Sequence, residues 1–215
     1  MKSINKTQIT IITGGLLLFV VLLFANTKAP VKTKDTEKEE VKLDLSLVKN
    51  KNDISDWLKA GNHYYDSTRV VKEMERPTLY RQAVECFKNV LSRDSVNIDA
   101  RVGLGVCYVE GTAEPMKGIT LLKGVVEQDP GNINAQLNLG FFSIKSGQYD
   151  KAIERFNKVL QIKPGYIEAY LFLADAYEKT ENKAKAIESL EKYVSLSKDD
   201  SNKQEIQNYI HQLSL

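Results

Sequence analysis

Cysteine, histidine and tryptophan are nearly missing: the 215 residues hold two, two and one of them. A structural zinc site draws on four thiolate or imidazole ligands at short spacings, and this chain has neither the number nor the spacing. His63 and His211 lie far apart in sequence, and a surface or capping place suits both better than a shared metal. Also missing are a glycine-rich phosphate loop ahead of a helix, a nucleophile elbow and a Cys-x-x-Cys pair. No residues form a catalytic constellation, so the chain reads as a non-enzyme with no cofactor and no metal. Charge of one sign is scarce too: Lys and Arg number 30 and Asp and Glu 28, for a net charge of +2. The excess sits in residues 1 to 52, with nine Lys against five acids, whereas residues 53 to 215 carry 21 bases against 23 acids. A nucleic-acid partner is excluded on this ground, because binding it needs a basic stripe that displaces counterions from phosphates. Runs such as KDTEKEE over residues 34–40 are solvated charge.

One stretch lacks charge altogether, from Thr7 to Thr27, and its centre, Leu16 to Ala25, is continuously apolar. At the helical rise it spans roughly 31 Å, close to the thickness of a bilayer core. The expectation is a basic tail over 1–7, a transmembrane signal anchor over 8–27 and a charged linker over 28–53. A cleaved signal peptide competes with the anchor, since Lys2 and Lys6 make a basic leader. Against cleavage, Ala25 follows Leu23 rather than a small residue two places earlier, and no Cys stands near to accept a lipid. Lys2 and Lys6 on one flank face Lys28, Lys32 and Lys34 on the other, so the positive-inside count is nearly level. Likeness of layout to a signal anchor places the chain in a bacterial inner membrane, single-pass, with the rest periplasmic. Within the linker Val41, Leu43, Leu45 and Leu47 alternate with polar residues. That period suits an extended segment with one apolar face, or else a weakly ordered turn.

What is abundant is self-similarity. Leu139 and Gly140 fall on Leu173 and Ala174, Ala152 on Ala186 and Phe156 on Leu190, each at an offset of 34 residues. Pro130 and Pro164 sit where a helix must stop. Further back, Leu104, Gly105, Tyr108, Gly118, Leu122 and Val125 repeat the spacing, as do Trp57, Gly61, Tyr64, Tyr80, Ala83, Phe87 and Val90. The first of these units carries ten inserted residues between Tyr64 and Ala83, and the second one extra residue in its GTAEP turn.

This pattern resembles the tetratricopeptide repeat, a helix-turn-helix unit with large residues at places 4, 7, 11 and 24, small ones at 8, 20 and 27, and Pro at 32. Small residues let the two helices, A and B, approach, and large ones fill between them. The resemblance implies an all-α, right-handed superhelix of four repeats over 54–97, 98–132, 133–166 and 167–200. SNKQEIQNYIHQLSL over 201–215 then forms a capping helix, with Ile206, Tyr209, Ile210 and Leu213 on one face. Departures include Arg101 and Gln136 at place 4, Ser143 at place 11 and Tyr193 at place 27, all expected to loosen individual contacts.

In the resembled family the inner wall is built from helix A and meets the ligand. Carried over by place, that wall comprises Leu58, Asn62, Val102, Val106, Val109, Leu137, Phe141, Ile144, Leu171 and Asp175, fringed by Glu110, Lys145, Glu178 and Lys179. The cations with which some members hold a terminal carboxylate are replaced by Leu, Val and Gly. The implied function is a membrane-tethered scaffold that binds a protein or peptide partner, in envelope assembly or translocation. A homo-oligomerisation module and a subunit positioning a partner enzyme are the alternatives, and simple packing of helix A on helix A is a third account of the wall. The segment from Val41 to Leu47 is a candidate occupant of the groove. Cys86, early in helix B of the first unit, and Cys107, late in helix A of the second, fall at one height on antiparallel neighbours. They form a disulfide in an oxidising space or stay two small buried side chains.

Overall fold

The computed structural model describes residues 44–198 and 200–215. Among them are nine α-helices, one 3₁₀ turn over Glu73–Glu75 and no strand. In chain order the helices are α1 (Ile54–Ser67), α2 (Arg76–Leu91), α3 (Ile98–Gly111), α4 (Pro115–Gln128), α5 (Ile133–Lys145), α6 (Tyr149–Ile162), α7 (Glu168–Lys179), α8 (Lys183–Leu196) and α9 (Asp200–Ser214). The described residues fall into two compact units, one ending at Tyr166 with α1 to α6 and one running from Ile167 to Leu215 with α7 to α9.

Local chemistry starts and stops these helices. The side chains of Asp53, Asn97, Asn132 and Asn182 each accept a bond from a first-turn amide, satisfying donors that a helix leaves free at its start. Pro77 and Pro115 lie in the first turns of α2 and α4, where a missing N–H is no loss. The turn from α5 to α6 passes through Gly147 at φ +73, and the turn from α7 to α8 places Glu181, 34 residues later, at φ +59.

In the first unit successive helices pack on one another, and α1 touches α3 as α3 touches α5. Contact is close because glycines face rings and backbone. The Phe87 ring of α2, fully buried, lies between Gly61 of α1 and Gly103 of α3. A Cβ on Gly118 would overlap the Gly105 carbonyl oxygen, so α4 and α3 meet backbone to backbone. Phe156 of α6 covers Gly140 in the same manner. Burial of each such ring contributes roughly 1.5–3 kcal/mol.

Place 4 of three successive units shares a device not visible as hydrophobicity. Trp57 Nε1 donates to the Lys51 carbonyl at 2.9 Å, Arg101 Nε to that of Ser95 at 3.1 Å and Gln136 Nε2 to that of Pro130 at 2.9 Å. A residue of the helix B region braces each: the Arg93 guanidinium stands 5.6 Å from the Trp57 ring, Arg101 also donates to Gln128, and Arg155 donates to Gln136. The polar substitutions at place 4 therefore exchange an apolar contact for hydrogen bonds rather than loosening the unit.

Residues 44–53 form a strap over the first helical pair. Tyr64 donates its hydroxyl to the Asp44 carbonyl at 2.7 Å, the Asp44 amide donates to Gln82 at 3.0 Å, and Val48 enters the core with 6% exposure. The described part of the segment proposed for the groove thus sits on Tyr64, Gln82 and the Trp57 region. Val41 to Leu43 lie outside the described residues.

In the second unit Ala174, Leu190 and Tyr193 pack with Ile206 of α9, flanked by Tyr209, Ile210 and Leu213. Tyr209 donates to Glu178 at 2.6 Å. Tyr193, 4% exposed, fills space under α9 that a small residue would leave empty.

The single-pass, inner-membrane placement is corrected. Among the described residues no helix is long and apolar enough to cross a membrane. The longest, α2 with 16 residues, reaches only about 24 Å. The apolar stretch expected as an anchor over 8–27 lies outside the described residues.

Candidate partner-binding wall

Helices α1, α3 and α5 line up side by side in the first unit, and the wall residues divide by depth. Val106, Leu137 and Ile144 keep 5%, 6% and 5% of their surface and serve the core between helices. Leu58, Val102, Val109 and Phe141 are half-buried, and Asn62 is exposed. Phe141 rests its ring 5.5 Å from that of Phe156 and is half-buried. In the second unit Leu171 and Asp175 are half-buried on α7, and Leu171 packs toward the α9 cluster.

At the far end of this strip stands a polar group that sequence reasoning placed only at the fringe. Glu110, the penultimate residue of α3, accepts hydrogen bonds from the Tyr65 hydroxyl of α1 at 3.2 Å and the Tyr80 hydroxyl of α2 at 3.3 Å. The two tyrosine rings lie 6.3 Å apart, and the Arg69 guanidinium sits 5.1 Å from the centre of the Tyr65 ring. Burial pushes the Glu110 carboxyl up to about 7, opposed by the Lys145 charge, the two hydroxyl bonds and Arg69. Burial and the Glu110 charge push both tyrosine hydroxyls above their ordinary value. Gly111 belongs to the same construction, because a Cβ there would overlap the Tyr80 ring. The signal for this cluster in the sequence was the ten-residue insertion, which carries Tyr65, Thr68 and Arg69.

Two solved structures provide the comparison. MamA superposes with a TM-score of 0.55 at 25% identity, over 74% of this chain and 77% of that one. YrrB, described as a TPR protein with an unusual peptide-binding site, superposes with a TM-score of 0.52 at 25% identity, over 72% and 81%. The fold is tetratricopeptide-like. Among curated relatives, the probable UDP-N-acetylglucosamine–peptide N-acetylglucosaminyltransferase SPINDLY of Hordeum vulgare is 26% identical over 109 residues, 51% of this chain and 11% of that protein. Superkiller protein 3 of Saccharomyces cerevisiae is 28% identical over 96 residues, 45% of this chain and 7% of that protein. The chain therefore spans about a tenth or less of these relatives. Residues 137–214 match the family described as Regulator of microtubule dynamics protein 1-3.

Within this tetratricopeptide-like array Cys86 and Cys107 are both free, fully buried and members of one core cluster. Burial pushes the Cys86 thiol up to about 12 and the Cys107 thiol higher still. Such thiols are poor nucleophiles and weak metal ligands. Among the described residues no group of three or more His, Cys, Asp and Glu converges as a metal shell would require.

Proposed function

We propose that this chain is a protein-interaction scaffold, and that the wall of α1, α3 and α5 holds an apolar segment of a partner protein. The observation that carries the reading is a set of half-buried apolar side chains, Leu58, Val102, Val109 and Phe141, distributed over three neighbouring helices of the first unit. Exposed apolar strips on folded domains mark binding sites, and a helix or extended peptide laid along such a strip covers alternate anchors. The likeness to YrrB, described by its peptide-binding site, supports a peptide as the ligand form. Leu171 and Asp175 on α7 offer a second, smaller surface. The transferase name of SPINDLY belongs to a protein of which the match covers 11%, so the likeness supports a shared repeat region and no shared chemistry.

Selection of binders for the full chain from a random peptide library, followed by anisotropy titration of the best peptide, tests the reading. Val102→Glu and Phe141→Glu place a charge on the strip and should each weaken binding at least about tenfold. Lys151→Glu, on the exposed side of α6, should leave it unchanged. Peptides whose affinity ignores both wall variants would remove this surface from consideration.

A further inference from the structure

The hydroxyls of Tyr65 and Tyr80 both bond Oε2 of Glu110, at 3.2 and 3.3 Å. Oε1 accepts no hydrogen bond among the described residues, yet it is not sealed from solvent, because the one buried side-chain atom there without a partner is Nε of Arg76. Nor does a cation close on the carboxylate. The ion pairs among the described residues join Arg69 to Asp66, Lys88 to Glu85 and Lys117 to Glu114, none of them at Glu110. Arg69 is engaged beside it, with Asp66 at 4.0 Å and the Tyr65 hydroxyl at 3.5 Å. Lys145, the exposed last residue of α5, faces the same carboxyl closely enough for its charge to act there. Glu110 and Lys145 thus stand as an opposite pair without a direct bond. Val109 precedes Glu110, and Phe141 lies one helical turn before Lys145, so the pair borders the apolar strip.

We propose that Glu110 and Lys145 clamp one main-chain peptide group of the bound partner, Oε1 of Glu110 accepting its N–H and Nζ of Lys145 donating to its C=O, so that the partner segment lies extended. The clamp rests on the reading of the wall as a peptide site and selects between the two ligand forms left open there. The two side chains cancel in charge, so the pair favours neither a basic nor an acidic group over the other. What it lacks is one donor for Oε1 and one acceptor for Nζ, and a peptide group supplies one of each. In a helix those groups are spent on internal bonds. An extended chain offers them along its length while alternate side chains reach the apolar strip. Two tyrosine hydroxyls on Oε2 fix the direction in which Oε1 faces, so little order has to be gained there on binding. Both bonds of the clamp involve a charged group, which makes them the stronger kind.

Ester substitution of single peptide bonds, which exchanges an N–H for an oxygen, tests the clamp. The probe is the tightest peptide selected against the full chain, titrated at about pH 8, above the Glu110 value of about 7. At one position the ester should weaken binding roughly tenfold. Glu110→Gln keeps an acceptor for the tyrosines and turns its amino group toward the ligand. It should weaken the parent peptide roughly tenfold too, and make that same ester nearly neutral. Lys145→Met, at an exposed site, should cost severalfold in affinity. An ester scan with no such position overturns the proposal, as does simple additivity of the ester and Glu110→Gln. If the Gln variant does not fold, Lys145→Met decides, since unchanged affinity in that variant overturns the clamp. When Val102→Glu and Phe141→Glu weaken binding while no ester couples to Glu110, the clamp alone fails. Binders indifferent to both wall variants, or a library that yields no binder, remove the wall and the clamp together.

Discussion

Two glycines of α4 should respond to the same substitution with opposite signs. A Cβ at Gly118 would overlap the Gly105 carbonyl oxygen and come within 2.8 Å of Val109 Cγ2 and 3.0 Å of Tyr108 Cβ. The nearest obstacle is backbone, so no rotamer change relieves it, and α3 and α4 must separate along their contact. Overpacking of this kind costs about 1–3 kcal/mol, and the gain in helix propensity from Gly to Ala returns at most about 1 kcal/mol. With backbone as the obstacle the cost falls in the upper part of that range, about 2–3 kcal/mol, so Gly118→Ala should destabilise by about 1–2 kcal/mol net of the propensity gain. At Gly124 nothing lies within 4 Å of the added atom, so Gly124→Ala collects the propensity alone and should stabilise by about 0.5–1 kcal/mol. For a chain of this size each kcal/mol moves Tm by roughly 2–4 °C. Thermal unfolding followed by circular dichroism should then place the two variants on opposite sides of the wild type, and urea midpoints at unchanged slope should agree. A Gly118→Ala protein as stable as the wild type would refute the backbone contact between α3 and α4.

Glu181 occupies the left-handed region at φ 59, where a side chain costs about 1 kcal/mol, so Glu181→Gly should raise Tm by a few degrees in a melting curve. The buried thiols of Cys86 and Cys107 should resist a thiol reagent at mildly alkaline pH until denaturant opens the first unit, and rapid labelling of either in the native protein would contradict their burial. Val48→Ala empties part of the strap's core contact and should lower stability by roughly 2 kcal/mol in a urea titration. Limited proteolysis of that variant should cut first at residues 44–53.

The tetratricopeptide-like architecture was legible because its physical requirements are local. A small residue must stand where helices A and B touch and a large one where they diverge, and an offset of 34 exposes both. Gly61, Gly103 and Phe87 show the limit of such reading: the small residues at 61 and 140 fit the pattern, while the role of Gly103 emerges only when the Phe87 ring is seen between two helices. Place 4 misled, because Arg101 and Gln136 break a hydrophobic pattern while meeting the same need through bonds to main-chain carbonyls. On the wall, spacing alone does not distinguish Val106, which is core, from Val102, which stays half exposed, since both share one face of α3. The Glu110 cluster was out of reach for another reason. Its partners lie 45 and 30 residues away, and their meeting depends on a loop whose course no periodicity encodes.

The place-4 bonds also bear on how such a chain can diverge. Trp57, Arg101 and Gln136 each reach the carbonyl six residues earlier. Every residue type carries that acceptor, so the connecting loops before α1, α3 and α5 are free to change in composition. They are not free to change in length, because one added or lost residue would present a different carbonyl, or none, to the waiting donor. The turn between α1 and α2 carries ten extra residues without harm to its neighbours. Length variation among descendants of this sequence should accordingly collect in the turns within a helical pair and avoid the loops between pairs.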